Sequence, residues 1–492
     1  MNSKLLLIGL ICFLSTINAY AQNFYTGVDL SYVNELEDCG ASYKDKNGKP
    51  GDPYEILSSA GSELVRLRLW HNPDWTNYSN IKDIKSSITR AKSAGMKVML
   101  IFHYSDFWAD PGRQWRPAAW ESITEDKVLG DSVYNYTLRI VDDLNRSGLL
   151  PEFIQIGNET NGNILQPRNN TDLDGNSPDV YPVKWTRQVA LLQRGIDAVN
   201  DFNQELNKKI QTIIHIADPK EAMNWFSNAL TNGLANFDII GLSYYPQWHE
   251  MGVREVGEQI GSLKEQFDKE VMVVETGYPW TNNNENDYAN NILGLDCRLF
   301  TYGGSFSIET QRDFLIELSW LVKENGGIGV IYWEPAWIST TCQTYWATGS
   351  HWENATLFNF EGELHAGADF LSYDLNIMPA ALGDQSVIFK VDMETTRTPD
   401  GVFVTGDFTR DFIGGNWSFK KMDLTKDKLY AFETTLPGRS QGAYIFYNKD
   451  EWLDDFREIV PASCANVWNT HREYIVKDES MIYHFSWGKC EK

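Results

Sequence analysis

Eight short apolar runs recur between Tyr25 and Pro335, at 26–31, 64–70, 98–103, 153–159, 212–216, 239–244, 271–275 and 329–334. Each is rich in β-branched residues and of strand length. Most of the gaps carry apolar residues near a 3.6 period. The stretch 81–94 stops at Gly95, 131–145 stops near Gly148, and 185–206 and 310–323 are longer. Strand and helix alternating eight times predict an α/β fold, a parallel sheet closed into a (β/α)8 TIM barrel. An open doubly wound sheet is the alternative. The lack of a glycine-rich phosphate loop after the first run counts against it.

Near residue 373 this pattern stops. Residues 376–385, with Pro379 and Gly383, read as a linker, and from Ser386 the period becomes two. Runs at 387–392, 401–405, 429–434, 443–447 and 481–485 predict a small all-β sandwich over 386–492. The expected organisation is therefore 1–21 leader, 22–375 catalytic barrel, 376–385 linker and 386–492 sandwich.

The leader reads as a secretory signal: Lys4, an apolar stretch over 5–17, and Ala19-Tyr20-Ala21 as the cleavage site. Gly9-Leu10-Ile11 is a poor lipobox for Cys12. Later segments never reach about 18 uninterrupted apolar residues, so no membrane span is expected. Export predicts a secreted or periplasmic protein, with cell-surface association left open, and a monomer. Five cysteines remain after cleavage, so at least one lacks an intramolecular partner. Cys464 and Cys490 lie close enough in sequence to close a local loop. Cys297 and Cys342 sit in two long irregular stretches and form the other expected pair.

Charge narrows the partners. The chain has 492 residues, with 43 Lys+Arg against 67 Asp+Glu, for a net charge of -24. That argues against nucleic acid, which needs a basic footprint. The 18 Trp and 23 Tyr suit either a large aromatic core or sugar rings, on which such side chains stack.

Polar and aromatic residues gather at the C-terminal ends of the runs, where barrel enzymes place their chemistry. Glycosidic hydrolysis needs two carboxyl groups, one protonated and one ionised. Glu159 ends the fourth run and Glu275 the seventh. Glu334, ending the eighth, is the rival. Asn158, directly before Glu159, suits a sugar 2-hydroxyl. Arg68, or else Arg66, is expected to hold Glu275 ionised, on the argument that only one of the two faces the interior. One of Tyr244 and Tyr245 is expected to orient the nucleophile.

Six motifs carry a resemblance: Val65-Arg-Leu-Arg-Leu-Trp-His71, Phe102-His-Tyr-Ser-Asp-Phe-Trp-Ala-Asp-Pro111, Gln155-Ile-Gly-Asn-Glu159, Gly241-Leu-Ser-Tyr-Tyr-Pro246, Val274-Glu-Thr276 and Tyr332-Trp-Glu-Pro-Ala-Trp337. Together they resemble glycoside hydrolase family 53, the endo-β-1,4-galactanases, over roughly residues 24–371. The resemblance implies that Glu159 is the acid/base and Glu275 the nucleophile of a retaining double displacement. It demotes Glu334. It places His103, Asp106, Trp108, Trp333 and Trp337 at sugar subsites and requires no cofactor. The implied substrate is β-1,4-galactan of pectin side chains. The same chemistry on mannan, xylan or glucan is one alternative, and a glycan-binding barrel without turnover is another.

Bacterial members of the family often carry an Asp-rich calcium loop after strand seven. Here the corresponding stretch is Asn284-Glu-Asn-Asp-Tyr-Ala-Asn290. Asn284, Asn286 and Asn290 would be weak calcium ligands, because neutral amides contribute little charge, although Glu285 or Asp287 in a shifted register would compensate. In the C-terminal segment, 402–408 with Gly415-Asn-Trp417 resembles starch-binding β-sandwich modules. Trp417, Trp452, Trp468 and Trp487 are its candidate sugar platform. A purely structural sandwich packed on the barrel is the alternative.

Overall fold

The computed structural model describes residues 23–168, 175–177, 179–286, 306–344, 346–394, 396, 398, 400–409, 416–426, 428–465, 470–477 and 480–490. Eight parallel strands close into a barrel: β1 (Tyr25–Asp29), β2 (Leu64–Leu69), β3 (Lys97–Phe102), β4 (Phe153–Ile156), β5 (Gln211–Ala217), β6 (Ile239–Tyr244), β7 (Glu270–Thr276) and β8 (Gly329–Tyr332). Each pairs with its chain neighbours, and β8 closes on β1 in the register Tyr25↔Gly329 to Val28↔Tyr332. Both faces of the strands are covered, which is why the runs read as continuously apolar.

Inside the barrel, Tyr25, Leu64, Met99, Phe153, Ile213, Ile239, Met272 and Ile331 pack together as a floor. Outside lie α1 (Val33–Asp38), α2 (Pro53–Ser59), α3 (Ile81–Ser93), α4 (Asp126–Arg146), α5 (Trp185–Leu206), α6 (Pro219–Thr231), α7 (Val253–Phe267) and α8 (Ile308–Glu324). Helix α3 starts where the Asn80 side chain accepts from the N–H groups of Lys82 and Asp83. It stops before Gly95, whose φ of 79° suits glycine. Helix α4 begins five residues before the expected 131.

The C-terminal part forms two four-stranded sheets. Its strands are β9 (Asp384–Asp392), β10 (Phe403–Gly406), β11 (Lys420–Lys421), β12 (Asp423–Lys426), β13 (Leu429–Pro437), β14 (Gln441–Tyr447), β15 (Arg472–Ile475) and β16 (Met481–Ser486). One sheet has the order β12-β13-β9-β16 and the other β11-β10-β14-β15. Val387, Phe389 and Val391 alternate inward along β9 and meet Val404, Tyr444 and Phe446 between the sheets. Strands β11, β12 and β15 carry no apolar run long enough to announce them. The first two are short edge strands with lysines, which discourage further pairing.

The turn between β13 and β14 meets α7 and α8. Arg254 donates to the carbonyls of Gly438 at 2.9 Å and Leu382 at 2.8 Å. Arg439 pairs with Glu317 at 2.8 Å, and Gln441 Nε2 donates to Glu255 at 3.2 Å. No described helix is long and apolar enough to cross a membrane.

Cys464 is bonded to Cys490. The expected Cys297–Cys342 pair is corrected: Cys342 is bonded to Cys39, across 303 positions of sequence. Closing β8 onto β1 brings the end of α1 beside the loop after β8, a proximity that linear distance hides. Cys297 lies outside the described residues.

Candidate active site

Side chains at every second position of a strand share a face. In the barrel this parity lifts polar groups above the apolar floor. Above Leu64 come Arg66 and Arg68, above Met99 comes His103, and above Phe153 comes Gln155. Above Ile213 comes His215, and above Ile239 come Ser243 and Tyr245. Above them opens a cleft of about 540 Å³. Its lining includes Asp29, Arg66, Arg68, His103, Trp108, Asp110, Asn158, Glu159, Tyr245, Glu275 and Trp333.

Glu275 departs from the parity of β7, where Met272 and Val274 already face inward. A register shift pairs Leu242 with Val273 but Ser243 with Glu275. This bulge re-aims the carboxylate into the barrel. Glu159 enters differently. Its backbone is left-handed, with φ 45°, a conformation that strains a non-glycine residue. Its N–H donates to His215 Nδ1 at 3.3 Å.

Arg66 binds Glu275, Asn158 and Asp29 at once. Its Nη2 is 2.6 Å from Glu275 Oε1 and 2.8 Å from Asn158 Oδ1, and its Nη1 is 2.9 Å from Asp29 Oδ2. Tyr245 donates its hydroxyl to Glu275 Oε2 at 3.2 Å. Burial pushes the Glu275 carboxyl up, and the Arg66 guanidinium and the Tyr245 hydroxyl oppose that rise. Glu159 rises well above the usual carboxylate range, first through burial and then through the charge of Glu275. Both carboxyls are raised, Glu159 further than Glu275, which is the sense that an acid beside an ionised nucleophile requires.

The sequence argument about the arginines is corrected. Residues 66 and 68 are two apart, so both face inward. Arg66, not Arg68, holds Glu275. Arg68 lies 3.5 Å from the fully buried Glu334 and 4.0 Å over the Trp108 ring. Adjacent Tyr244 and Tyr245 do point oppositely. Tyr244 turns away from the cleft and donates to Met251 O at 2.9 Å. Two further candidates stand off the cleft. Asp106 accepts from the N–H groups of Asn72 and Ala118 and braces loops. Trp337 is 0% exposed and stacks on Tyr32. His103 accepts from Ala109 N–H at 3.1 Å and lines the cleft.

Sequence reasoning missed Gln155, His215 and Ser243, although a polar residue inside an apolar run was the available signal. It also missed Trp248, Trp346 and Trp352, which lie in loops and join the cleft wall. Trp248, 49% exposed, stands at the mouth, beside Tyr245.

Among the described residues, one trio of potential metal ligands converges: Glu159, His215 and Glu275, with ligand atoms within 4.8 Å of one another. Its chemistry does not fit a cation. Both His215 nitrogens are engaged within the protein, and Arg66 already neutralises Glu275. In the seventh loop, Asn286 Nδ2 donates to Ser339 and Glu285 N–H donates to Glu353. Asn290 and Asp287 lie outside the described residues. In the sandwich, Trp417 and Trp452 line one hollow with Asn416, whereas Trp487 packs on the core between the sheets. Trp468 is outside the described residues.

Comparison with known proteins agrees with this geometry. Over 359 residues the chain is 45% identical to an arabinogalactan endo-beta-1,4-galactanase of Cellvibrio japonicus, covering 73% of this chain and 92% of the relative. It is 31% identical to the arabinogalactan endo-beta-1,4-galactanase of Thermothelomyces thermophilus, covering 69% and 96%. The solved Ignisphaera aggregans GH53 catalytic domain superposes with a TM-score of 0.61 at 30% identity, covering 71% of this chain and 95% of that one. The profile of Glycosyl hydrolase family 53 matches residues 25–371. The chain is a glycoside hydrolase and belongs to Glycosyl hydrolase family 53.

Proposed function

We propose that this chain is a secreted, retaining endo-β-1,4-galactanase. The carrying observation is the carboxylate pair. Oxygens of Glu159 and Glu275 approach within 4.8 Å. Retaining enzymes separate their carboxyl groups by about 5–5.5 Å, whereas inverting ones leave about 6.5–9.5 Å for a water. Glu275 attacks the anomeric carbon while Glu159 gives its proton to the departing glycosidic oxygen. A covalent glycosyl-enzyme forms. Glu159, now ionised, takes a proton from water, whose oxygen attacks the anomeric carbon and frees Glu275.

Asn158 donates one Nδ2 hydrogen to Ala109 O at 2.9 Å. The other serves the sugar 2-hydroxyl. Trp108 and Trp333, with Trp346, form the aromatic walls on which galactose units stack. Galactan as substrate rests on the names of the relatives and on the neutral polymer's suitability for an acidic protein. The leader over 1–21 supports export.

The test is incubation of the mature protein with linear β-1,4-galactan, following reducing ends and product sizes. Short oligosaccharides are expected, with losses of several orders of magnitude in both Glu159→Ala and Glu275→Ala. Cleavage of mannan, xylan or glucan instead would move the substrate. Tight galactan binding without cleavage would favour a binding protein.

The hollow of Asn416, Trp417 and Trp452 supports a second glycan contact, since Trp452 is 54% exposed. Trp452→Ala is expected to lower activity on insoluble galactan and to leave soluble oligosaccharide cleavage unchanged. Equal activity on both substrates would return the sandwich to a structural role.

A further inference from the structure

We propose that His215 and Ser243 form a directional hydrogen-bond relay that fixes which oxygen of Glu159 carries the catalytic proton. Ser243 Oγ lies 2.6 Å from Glu159 Oε1 and 2.9 Å from His215 Nε2. Both residues are fully buried.

The direction of each bond follows from groups that have no choice. A guanidinium can only donate. Arg66 donates to Gln155 Oε1 from Nε at 3.3 Å and from Nη2 at 3.1 Å. That sets the Gln155 amide, so its Nε2 is on the His215 side, where its two hydrogens are shared among Gly157 O at 2.8 Å, Asn158 Oδ1 at 3.0 Å and His215 Nδ1 at 3.1 Å. The backbone N–H of Glu159, also an obligatory donor, points at the same nitrogen. The Glu159 N–H thus requires an acceptor at Nδ1, which is therefore unprotonated. Burial and the nearby Arg66 keep the imidazole neutral, so its single proton is on Nε2. Nε2–H donates to Ser243 Oγ, and the Ser243 hydrogen goes to Glu159 Oε1. An oxygen that accepts this bond is a poor site for the acid proton, which is left on Oε2.

The opposite tautomer is the competing arrangement. With Nδ1 protonated, it would donate to Asn158 Oδ1, 3.1 Å away. Ser243 would then donate to Nε2, and Glu159 would carry its proton on Oε1. That arrangement sets Nδ1–H against the Glu159 N–H, while Asn158 Oδ1 already accepts from Arg66 and Gln155.

The relay acts through the catalytic cycle without changing its own protons. As Glu159 releases the Oε2 proton to the glycosidic oxygen, charge grows on the carboxylate and the Ser243 bond to Oε1 strengthens. The water proton later returns to Oε2. Ser243 and His215 are thus positioning residues, and the same arginine that holds Glu275 ionised sets the first link. The other groups facing Glu159 are Glu275, Asp110 and Arg66, with the hydroxyls of Tyr245 and Tyr181.

The relay rests on the acid/base assignment of Glu159, but its test is separable. NMR of isotope-labelled histidine in the full chain reads the His215 tautomer without turnover, with the signal assigned by its loss in His215→Gln. A neutral ring protonated at Nε2 is expected, and protonation at Nδ1 would overturn the relay. The second readout is the pH profile of kcat/KM. Removing a donor to the ionised form raises the Glu159 pKa. Ser243→Ala should therefore move the basic limb to higher pH by about one unit, with about a tenfold loss at the optimum. Ser243→Thr should restore the wild-type limb. A loss of rate with an unmoved limb would reduce Ser243 to a packing residue and refute the proposal.

Discussion

Arg66 Nη2 lies 2.6 Å from Glu275 Oε1, with both side chains nearly excluded from solvent. A carboxylate in that position is tolerated because the guanidinium faces it, and removing one partner of a buried pair typically costs about 3–5 kcal/mol. Arg66→Met is expected to raise the Glu275 pKa, so the nucleophile ionises only at higher pH. The acidic limb of kcat/KM should shift upward, with at least about a hundredfold loss at the original optimum. Arg66→Lys should recover little, because an ammonium cannot serve Asp29, Gln155, Asn158 and Glu275 together. An acidic limb unmoved in Arg66→Met would refute this role.

Glu159 carries a cost in stability. Its folded pKa lies above its unfolded value, so the native state binds more protons than the unfolded state in the window between them. Stability therefore falls as pH rises through that window. Glu159→Gln should have a higher Tm than wild type at neutral pH, by about 1–1.5 °C for each kcal/mol released in a protein of this size. The difference should vanish below about pH 4, where both forms are neutral. Differential scanning calorimetry across pH decides it, and a variant less stable than wild type at pH 7 would contradict the sign.

The Cys39–Cys342 bond fastens the loop after β8, which also carries Trp346 of the cleft wall. Cys39→Ser with Cys342→Ser is expected to cost about 2–5 kcal/mol of stability. It should raise KM more than it lowers kcat, because the loss falls on a sugar-stacking wall. The shorter Cys464–Cys490 loop lies in the sandwich, and its removal should leave the cleft kinetics unchanged. Thermal melts and initial rates on galactan separate the two. A fall in kcat at constant KM in the first variant would place the loop nearer the chemistry.

The barrel was legible because both faces of its strands are buried, so the runs stand out in composition alone. Glu159 was legible because it ends the fourth apolar run directly after Asn158, but the left-handed turn that carries it was not. Glu275 was legible from its place at a strand end, but the bulge that turns it inward was not. Parity, applied consistently, would have placed Arg66 and Arg68 on one face and picked out His215 and Ser243. What parity cannot supply is the partner of each group. Arg66 and Arg68 differ by one barrel layer, and only three-dimensional stagger decides which reaches Glu275. The Cys39 partner was hidden for a similar reason, since it depends on how the sheet closes.

Glu317, on the outer wall of the barrel, has a side chain 2% exposed, and its ion-pair partner Arg439 belongs to the sandwich. One unit has surrendered the hydration of an anion to a cation supplied by the other. The boundary between them is therefore not a clean place to cut. A barrel excised at residue 375 inherits an acid shaped for a guanidinium that is gone, and a foreign module grafted there must bring its own arginine to the same spot.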